Sequence, residues 1–384
     1  MVMGFRVAII GTGDPSEQSA DGYAMAYRHA DAYVRLTDCE LVACADIVMD
    51  NAVAFAEEYG IGPEEVYEDA KRMLAEAKPD IVNVCVPPAA HAELVCACAD
   101  ADSVEAIHCE KPIAATWQEC QEMLERCERH DTQLTINHQR RFAKPYRLAK
   151  DLLDEGRIGD VRRIEVGGQN LYDYGSHLFD LCGFLTDQTP VEWVLAQIEY
   201  REENVQFGMH NETQGLARWR YENGIDGLAS TGEDGLVDCQ IRVIGSRGTV
   251  EVGRIDGPPL RVRTDGSGWE RVETGPDGIY KTHPKTVSVV ADALLERFPV
   301  GPDRTFAEPS YIDRAIKDVV ESLREDRRPE TAARNACQAM ELIFACWESA
   351  RRRDRVTLPL DIENNPLESM VRSGVLPTEE VTSQ

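Results

Sequence analysis

The sequence predicts an α/β protein: first a doubly wound parallel sheet, then an α+β domain. Three observations lead there. Up to about residue 136, short apolar runs alternate with helical patterns, the rhythm of parallel strands joined by helical crossovers. The first apolar run ends in Gly11-Thr12-Gly13, a glycine turn between strand and helix. After Asn137, strand-like segments crowd together with tight turns between them, which means antiparallel pairing.

The first strand, in "FRVAII", runs directly into the glycine turn. A dinucleotide-binding turn needs a third small residue three positions on, but that position is Ser16, inside a polar, acidic stretch. Reading residues 14–23 as an insertion restores the pattern. Ala26, in the helix "AMAYRHADAYVRL", then takes the third small position, and Asp46 follows it by 20 residues at the end of the strand "ELVACAD". At that offset a carboxylate meets the adenosine ribose. Asp46 repels a 2′-phosphate, and Ile47 offers no cation to hold one, so NAD is favoured over NADP. The alternative makes Asp46 a helix N-cap.

Further on, a helix "MDNAVAFAEEYG" leads to the strand "IVNVCVP", a helix "HAELVCACADA", the strand "AIHCE", a helix "TWQECQEMLERCERH" and the strand "QLTIN". Two stretches sit at carboxyl ends of strands, where ligands of open α/β sheets gather. These are "CVPPAAHAE", with Pro87 and His91, and "HCEKPIA", with Glu110 and Lys111. With lysine at only eight positions in the chain, Lys111 is poorly explained as solvated surface.

The second part opens with a helix in "AKPYRLAKDLLDEG" and the strand "DVRRIEVGG", then a helical "YGSHLFDLCGFL". Strands follow in "VEWVLAQIEY", "ETQGLARWRYENGIDGLAST" and "DCQIRVIGSRGTVEVG". Ala336, Met340, Ile343, Trp347 and Ala350 line one face of a late helix, which marks it as packing rather than catalytic. The expected organisation is a first domain over 1–136, a second over 137–360, and a loosely ordered tail over 361–384.

Composition narrows the function. With 41 basic against 68 acidic side chains, the net charge of −27 repels nucleic acid and anionic membranes. The acids are spread along the whole chain, the pattern of a halophilic protein kept in solution by a hydrated carboxylate shell. No apolar stretch is long enough to span a membrane, and a first strand beginning by Phe5 leaves no room for a signal peptide, so the expected location is cytoplasmic. The 12 cysteines show no CxxC pair or zinc spacing and read as reduced core thiols, with no metal site.

Taken in order, Gly11/Gly13, Asp46, Glu110-Lys111-Pro112 and the segment Asp173-Tyr174-Gly175-Ser176-His177-Leu178-Phe179-Asp180 resemble the glucose-fructose oxidoreductase and inositol dehydrogenase (Gfo/Idh/MocA) family. The closing "SARRRDRVTLPL" is also similar. The resemblance implies a Rossmann domain, a large open antiparallel sheet, NAD(P), and a sugar or polyol in the cleft between them. It implies that Lys111, Asp173 and His177 are catalytic. It also implies that Gly11, Thr12, Gly13, Asp46, Pro87, His91, Glu110 and Lys111 bind the cofactor. For the substrate it points to Asn170, Asp173, His177 and the joint region Asn137, His138, Arg140, Arg141, of which Asn137 and Arg141 are the candidates taken forward. Asp173, His177 and Asp180 would share one helical face.

The expected activity is an NAD-dependent dehydrogenase of a sugar, sugar acid or cyclitol, in a homodimer or tetramer. The alternatives are an NAD-bound glycosidase working by transient oxidation and a non-catalytic nucleotide sensor. Two departures stand out: Asp14, Glu17 and Asp21 of the insertion would lie near a pyrophosphate or form a lid, and the arm between Asp160 and Asn170 is short.

Overall fold

The computed structural model describes residues 4–14, 25–275 and 309–376. Apart from Asp14, the expected insertion over 14–23 lies outside the described residues.

The first sheet is built from β1 (Phe5–Ile10), β2 (Cys39–Ala45), β3 (Val66–Tyr67), β4 (Ile81–Val84), β5 (Ala106–Cys109) and β6 (Gln133–Ile136), in the order β3-β2-β1-β4-β5-β6. Every pair is parallel. Its helices are α1 (Met25–Val34), α2 (Met49–Tyr59), α3 (Ala70–Ala77), α4 (His91–Ala99) and α5 (Trp117–Arg129). The sheet is mostly apolar because helices bury both faces: Val7, Ile9, Ile81, Val84 and Ile107 are inaccessible, with Asn83 and His108 as buried polar members. The strand order reverses between β1 and β4, which opens a crevice at their carboxyl ends. β3 and α3 gave no usable signal in the sequence, since two residues make a strand too short to show alternation.

Helix α6 (Lys144–Asp154) leads to the second sheet, whose strands are β7 (Val161–Gly168), β8 (Val191–Glu199), β11 (Gln214–Tyr221), β12 (Asp226–Gly232), β13 (Cys239–Gly245), β14 (Gly248–Arg254), β15 (Leu260–Thr264), β16 (Glu270–Arg271) and β17 (Val356–Thr357). Between β8 and β11 the short β9 (Val205–Gln206) and β10 (Met209–His210) form a separate hairpin. The nine-stranded order is β16-β15-β14-β13-β7-β12-β11-β8-β17. Antiparallel pairing holds except between β7 and β12, which are parallel, so the sheet is mixed. Helix α7 (Gly175–Leu185) and four strands separate β7 from β12, a connection long enough for a parallel crossover, which no tight turn allows.

The remaining helices are α8 (Tyr311–Glu325), α9 (Ala333–Arg352) and α10 (Pro366–Arg372). Helix α9 covers β8 and α7 and also reaches α5; α8 returns to pack on α1 of the first domain. Trp219, Ala217 and Tyr221 on β11 face the helix-covered side and are buried. The other face of the sheet carries a lattice of Arg242 with Glu165 and Glu251, Arg261 with Glu251, and Arg254 with Asp238. The apolar alternation in these strands is therefore already used inside the subunit.

The expectation of a loose tail over 361–384 is corrected for its first part. Asn365 caps α10 by accepting from Leu367 and Glu368 N–H, and its Nδ2 donates to the Ala115 carbonyl. Leu367 and Met370 are buried. Seven residues, about two helical turns, are too few for a periodicity argument.

Candidate active site

Both glycines of the first turn have left-handed backbones, Gly11 at φ +83° and Gly13 at φ +73°. A Cβ on Gly11 would stand 2.5 Å from Val86 Cγ1 and 2.7 Å from the Cys85 carbonyl oxygen, so the close approach of the two strand ends requires glycine. Asp46 closes the cradle. Its Oδ2 accepts from Gly13 N–H at 3.0 Å and Thr12 Oγ1 at 3.2 Å, and its Oδ1 accepts from Val48 N–H at 2.8 Å beside the start of α2. The helix N-cap alternative for Asp46 is corrected: the N-cap of α2 is Val48, with no side-chain cap, and Asp46 only accepts from its N–H. Pro87 is exposed beside this cradle, ahead of a short turn over Pro88–Ala90.

Lys111 reaches across from the first domain to the second. Its Nζ donates to Asp173 Oδ1 at 2.8 Å and to the Asp173 carbonyl at 3.2 Å. Asp173 lies in the turn just before α7, and three bonds fix that turn. Asn211 Oδ1 accepts from Asp173 N–H, Asn170 Oδ1 accepts from Tyr174 N–H, and Glu212 Oε1 accepts from Leu171 N–H. Burial pushes the Glu212 carboxyl up to about 7, against the lowering effect of the Leu171 and Trp347 donors.

His177, on the first turn of α7, is 5% exposed and its Nδ1 has no partner among the described residues. Burial, then the charges of Arg140, Lys111 and His138, hold its pKa well below the ordinary imidazole value, so the ring is unprotonated near neutrality. The His138 ring packs edge-on against it, at 5.5 Å between centroids.

Asp173, His177 and Asp180 do not form one face. Asp173 precedes the helix, while Asp180 turns inward to Arg141, at 2.6 and 2.7 Å, and to His138 at 3.2 Å. This pairing also corrects the expectation that Arg141 binds substrate. Its guanidinium is 3% exposed and engaged by Asp180 and the Glu330 carbonyl.

Three further expectations fall for the same reason, since buried polar groups must be paired. Asn137 is inaccessible and donates to Glu110 Oε1 at 2.7 Å. Glu110 gives its other oxygen to the Lys111 N–H and lies 3.1 Å from His29 Nε2. Burial alone would raise the Glu110 carboxyl, but His29, Asn137 and Lys111 bring it to about 2. His91 is inaccessible, with its ring nitrogens against the carbonyls of Val86, Pro112 and Ile113. It ties the two ligand-side loops together, and both ring nitrogens are taken by backbone carbonyls. Asn170 is buried under the Asp173 turn, with its Nδ2 unpartnered.

The sequence reading did not single out Asn211, Glu212, Phe207 or His29. Phe207, at the tip of the β9–β10 hairpin, brings its ring to 5.9 Å from Lys111 Nζ. Nothing local in "NVQFGMHNE" marks Phe207, Asn211 or Glu212, because the hairpin meets Lys111 only through the fold. All 12 cysteines are free and ten are buried. One Cys/carboxylate cluster, Asp238, Cys239 and Glu251, has its carboxylates held by arginines.

A doubly wound domain with a glycine cradle, whose Lys111 meets Asp173 and His177 of a second domain, defines a dinucleotide-dependent oxidoreductase. Residues 5–138 match the oxidoreductase family's NAD-binding Rossmann fold, and residues 162–358 match its C-terminal alpha/beta domain. The chain belongs to this family, Gfo/Idh/MocA. It is 26% identical to myo-inositol 2-dehydrogenase of Thermotoga maritima over 349 residues, 86% of this chain and 94% of that one. It is 31% identical to D-glucoside 3-dehydrogenase of Escherichia coli over 200 residues, 47% of this chain and 53% of that one. It is 28% identical to the NADP(+)-dependent D-xylose 1-dehydrogenase of Haloarcula marismortui over 231 residues, 54% and 61% of the two chains. The chain thus spans less than two thirds of the second and third of these relatives.

Proposed function

We propose that the protein is an NAD-dependent dehydrogenase acting on a secondary alcohol of a sugar, sugar acid or cyclitol. One observation carries this reading: Lys111 and Asp173 pair across the two domains beside an unprotonated His177 with an unpartnered nitrogen. Asn170 Nδ2, Arg140 Nη1 and His138 Nε2 are also buried without partners among the described residues, a donor-rich surround suited to a ligand with several hydroxyls.

The cradle fits a dinucleotide, because it is a backbone approach that any Cβ at Gly11 would fill. Gly11, Thr12, Gly13 and Asp46 would hold the nucleotide half. Bound there, the nicotinamide supplies a hydride acceptor. His177 takes the hydroxyl proton. Lys111 has three N–H donors and gives two to Asp173, which leaves one for the substrate oxygen as negative charge grows on it. Asp173 fixes Lys111, and Asn211 fixes Asp173.

The preference for NAD rests on Asp46, whose charge opposes a 2′-phosphate. We expect NAD to exceed NADP in catalytic efficiency by at least about tenfold, equivalent to roughly 1.4 kcal/mol, and Asp46→Ser to narrow the gap. Equal use of both by the parent protein would remove this role. The experiment for the function as a whole is NADH formation by purified protein over a panel of sugars and cyclitols in molar KCl. Aryl-glycoside cleavage without net NADH would favour the glycosidase instead, and an absence of NADH binding would overturn the proposal. The same reading places the protein in the cytoplasm, and among the described residues no helix is long and apolar enough to cross a membrane.

A further inference from the structure

We propose that Cys85 is a reactive thiol, set up by His29 and Glu110, whose exchange with a low-molecular-weight disulfide closes the dinucleotide cradle. The inference rests on the dinucleotide reading of that cradle. Of the 12 cysteines, only Cys39 and Cys85 are not buried. Cys85 follows β4 directly; its N–H donates to the Ile10 carbonyl at 2.8 Å, and its own carbonyl is one of the atoms that crowd Gly11.

Its Sγ lies 3.6 Å from His29 Nδ1, and His29 Nε2 lies 3.1 Å from Glu110 Oε1. Thiol, imidazole and carboxylate thus stand in series, the arrangement that activates a nucleophile by giving its proton to a base held by a third group. Asn83 Nδ2 donates to Sγ at 3.4 Å and lies against the same His29 nitrogen. The Tyr33 hydroxyl bonds the other end of that amide at 3.2 Å. A hydroxyl donates or accepts, so the amide can turn to present its oxygen once His29 Nδ1 carries a proton.

The remaining neighbours agree. Burial would lower the His29 pKa, but Cys85 and Glu110 raise it to about 10. His108, at 5.2 Å between ring centroids, is driven down to about 3 by burial and by the charge on His29, and adds no competing charge.

In the exchange, the Cys85 proton rests on His29 and the thiolate attacks one sulfur of the disulfide. The S–S bond of the reagent breaks, a Cys85 mixed disulfide forms, and the departing thiolate leaves with a proton. The Cys85 sulfur is oxidised and the leaving sulfur reduced; excess thiol reverses the step. An adduct here grows from a residue whose backbone packs against the Gly11 turn, so it adds bulk to the wall of the cradle.

The test uses the full folded chain and the chromogenic disulfide dithiobis(nitrobenzoate). One thiol should react in a fast phase that Cys39→Ser keeps and Cys85→Ser abolishes. Its rate should hold between pH 8 and pH 6.5, where an unassisted thiol slows about tenfold per unit below its ordinary value of about 8.5. This profile needs no variant; His29→Gln should restore the ordinary slope. NADH should protect the thiol, and the adduct should lose NADH binding, which dithiothreitol restores. No Cys85-dependent fast phase, or an ordinary slope in the parent protein, overturns the reactive thiol. An adduct that binds NADH as well as the parent overturns the closure. If the unmodified protein binds no NADH while Cys85 still reacts fast, the dinucleotide reading fails and the thiol stands.

Discussion

At the scale of single residues, two buried side chains of similar appearance in sequence separate into chemistry and architecture. His177 keeps a ring nitrogen unpartnered, and burial with nearby cations lowers its pKa. A base with a lowered pKa stays unprotonated to lower pH, so the acid limb of kcat/KM for alcohol oxidation should fall below about 6.5, the ordinary imidazole value. His177→Ala should lower kcat by about 10² to 10⁴ with NADH affinity unchanged. Adding Lys111→Ala should cost far less than the product of the single effects. Full turnover in a His177→Ala protein that merely melts earlier would show a structural histidine. Arg141 behaves oppositely. Removing one partner of its buried pair with Asp180 should destabilise the fold by about 3–5 kcal/mol, seen in the melting temperature, and leave KM of the folded fraction unchanged. Burial would raise the Asp180 carboxyl, but Arg141 and His138 hold it at about 2, below the usual 3.8. The stability from this pair is therefore complete above pH 4 and lost as pH falls toward 2. A substrate-binding Arg141 would instead raise KM with little change in melting.

Among the elements, the ligand-side loops are the ones that tertiary contacts arrange. The turn carrying Asp173 is held by Asn211 and Glu212 from the stretch between β10 and β11, and the Lys111 loop is tied to the Pro87 loop through His91. Helix α10 follows the same rule at the end of the chain: it exists because Leu367 and Met370 find a buried place and Asn365 caps it. Leu367→Ala should cost about 2–5 kcal/mol and Asn365→Ala about 1 kcal/mol. Calorimetric melts of the two variants check this; unchanged melting in both would mean the tail is detached in solution. Most helices and the long strands were legible because their periods of 3.6 and 2 are written in neighbouring residues. β3 and the β9–β10 hairpin were not, because two-residue strands show no alternation, and α3 and α10, of eight and seven residues, span too few turns to show a repeat.

For the molecule as a whole, the open face of the nine-stranded sheet is the candidate surface for subunit contact. Leu195 and Leu216 are 50% and 45% exposed there, next to the arginine–carboxylate lattice. We propose pairing through this face into a homodimer or tetramer, checked by light scattering in high salt, where a monomer would refute it. Burial of the lattice should protect its ion pairs from screening, and the 68 acidic side chains should keep the assembly in solution in molar KCl.

By itself the sequence determined the fold class and the glycine turn, and it named Asp46 and the set Lys111, Asp173 and His177 as candidates. These follow from spacing along the chain and from motifs whose order resembles a family. The tertiary structure alone decided which of the candidate polar residues are taken up by partners inside the protein. Glu110, Asn137, Arg141 and His91 look like site residues until their partners appear, and those partners include His29, Asp180 and the Val86 carbonyl. A buried polar group has to be satisfied by something. Whether that something is substrate or another side chain depends on residues that only folding brings within 3 Å.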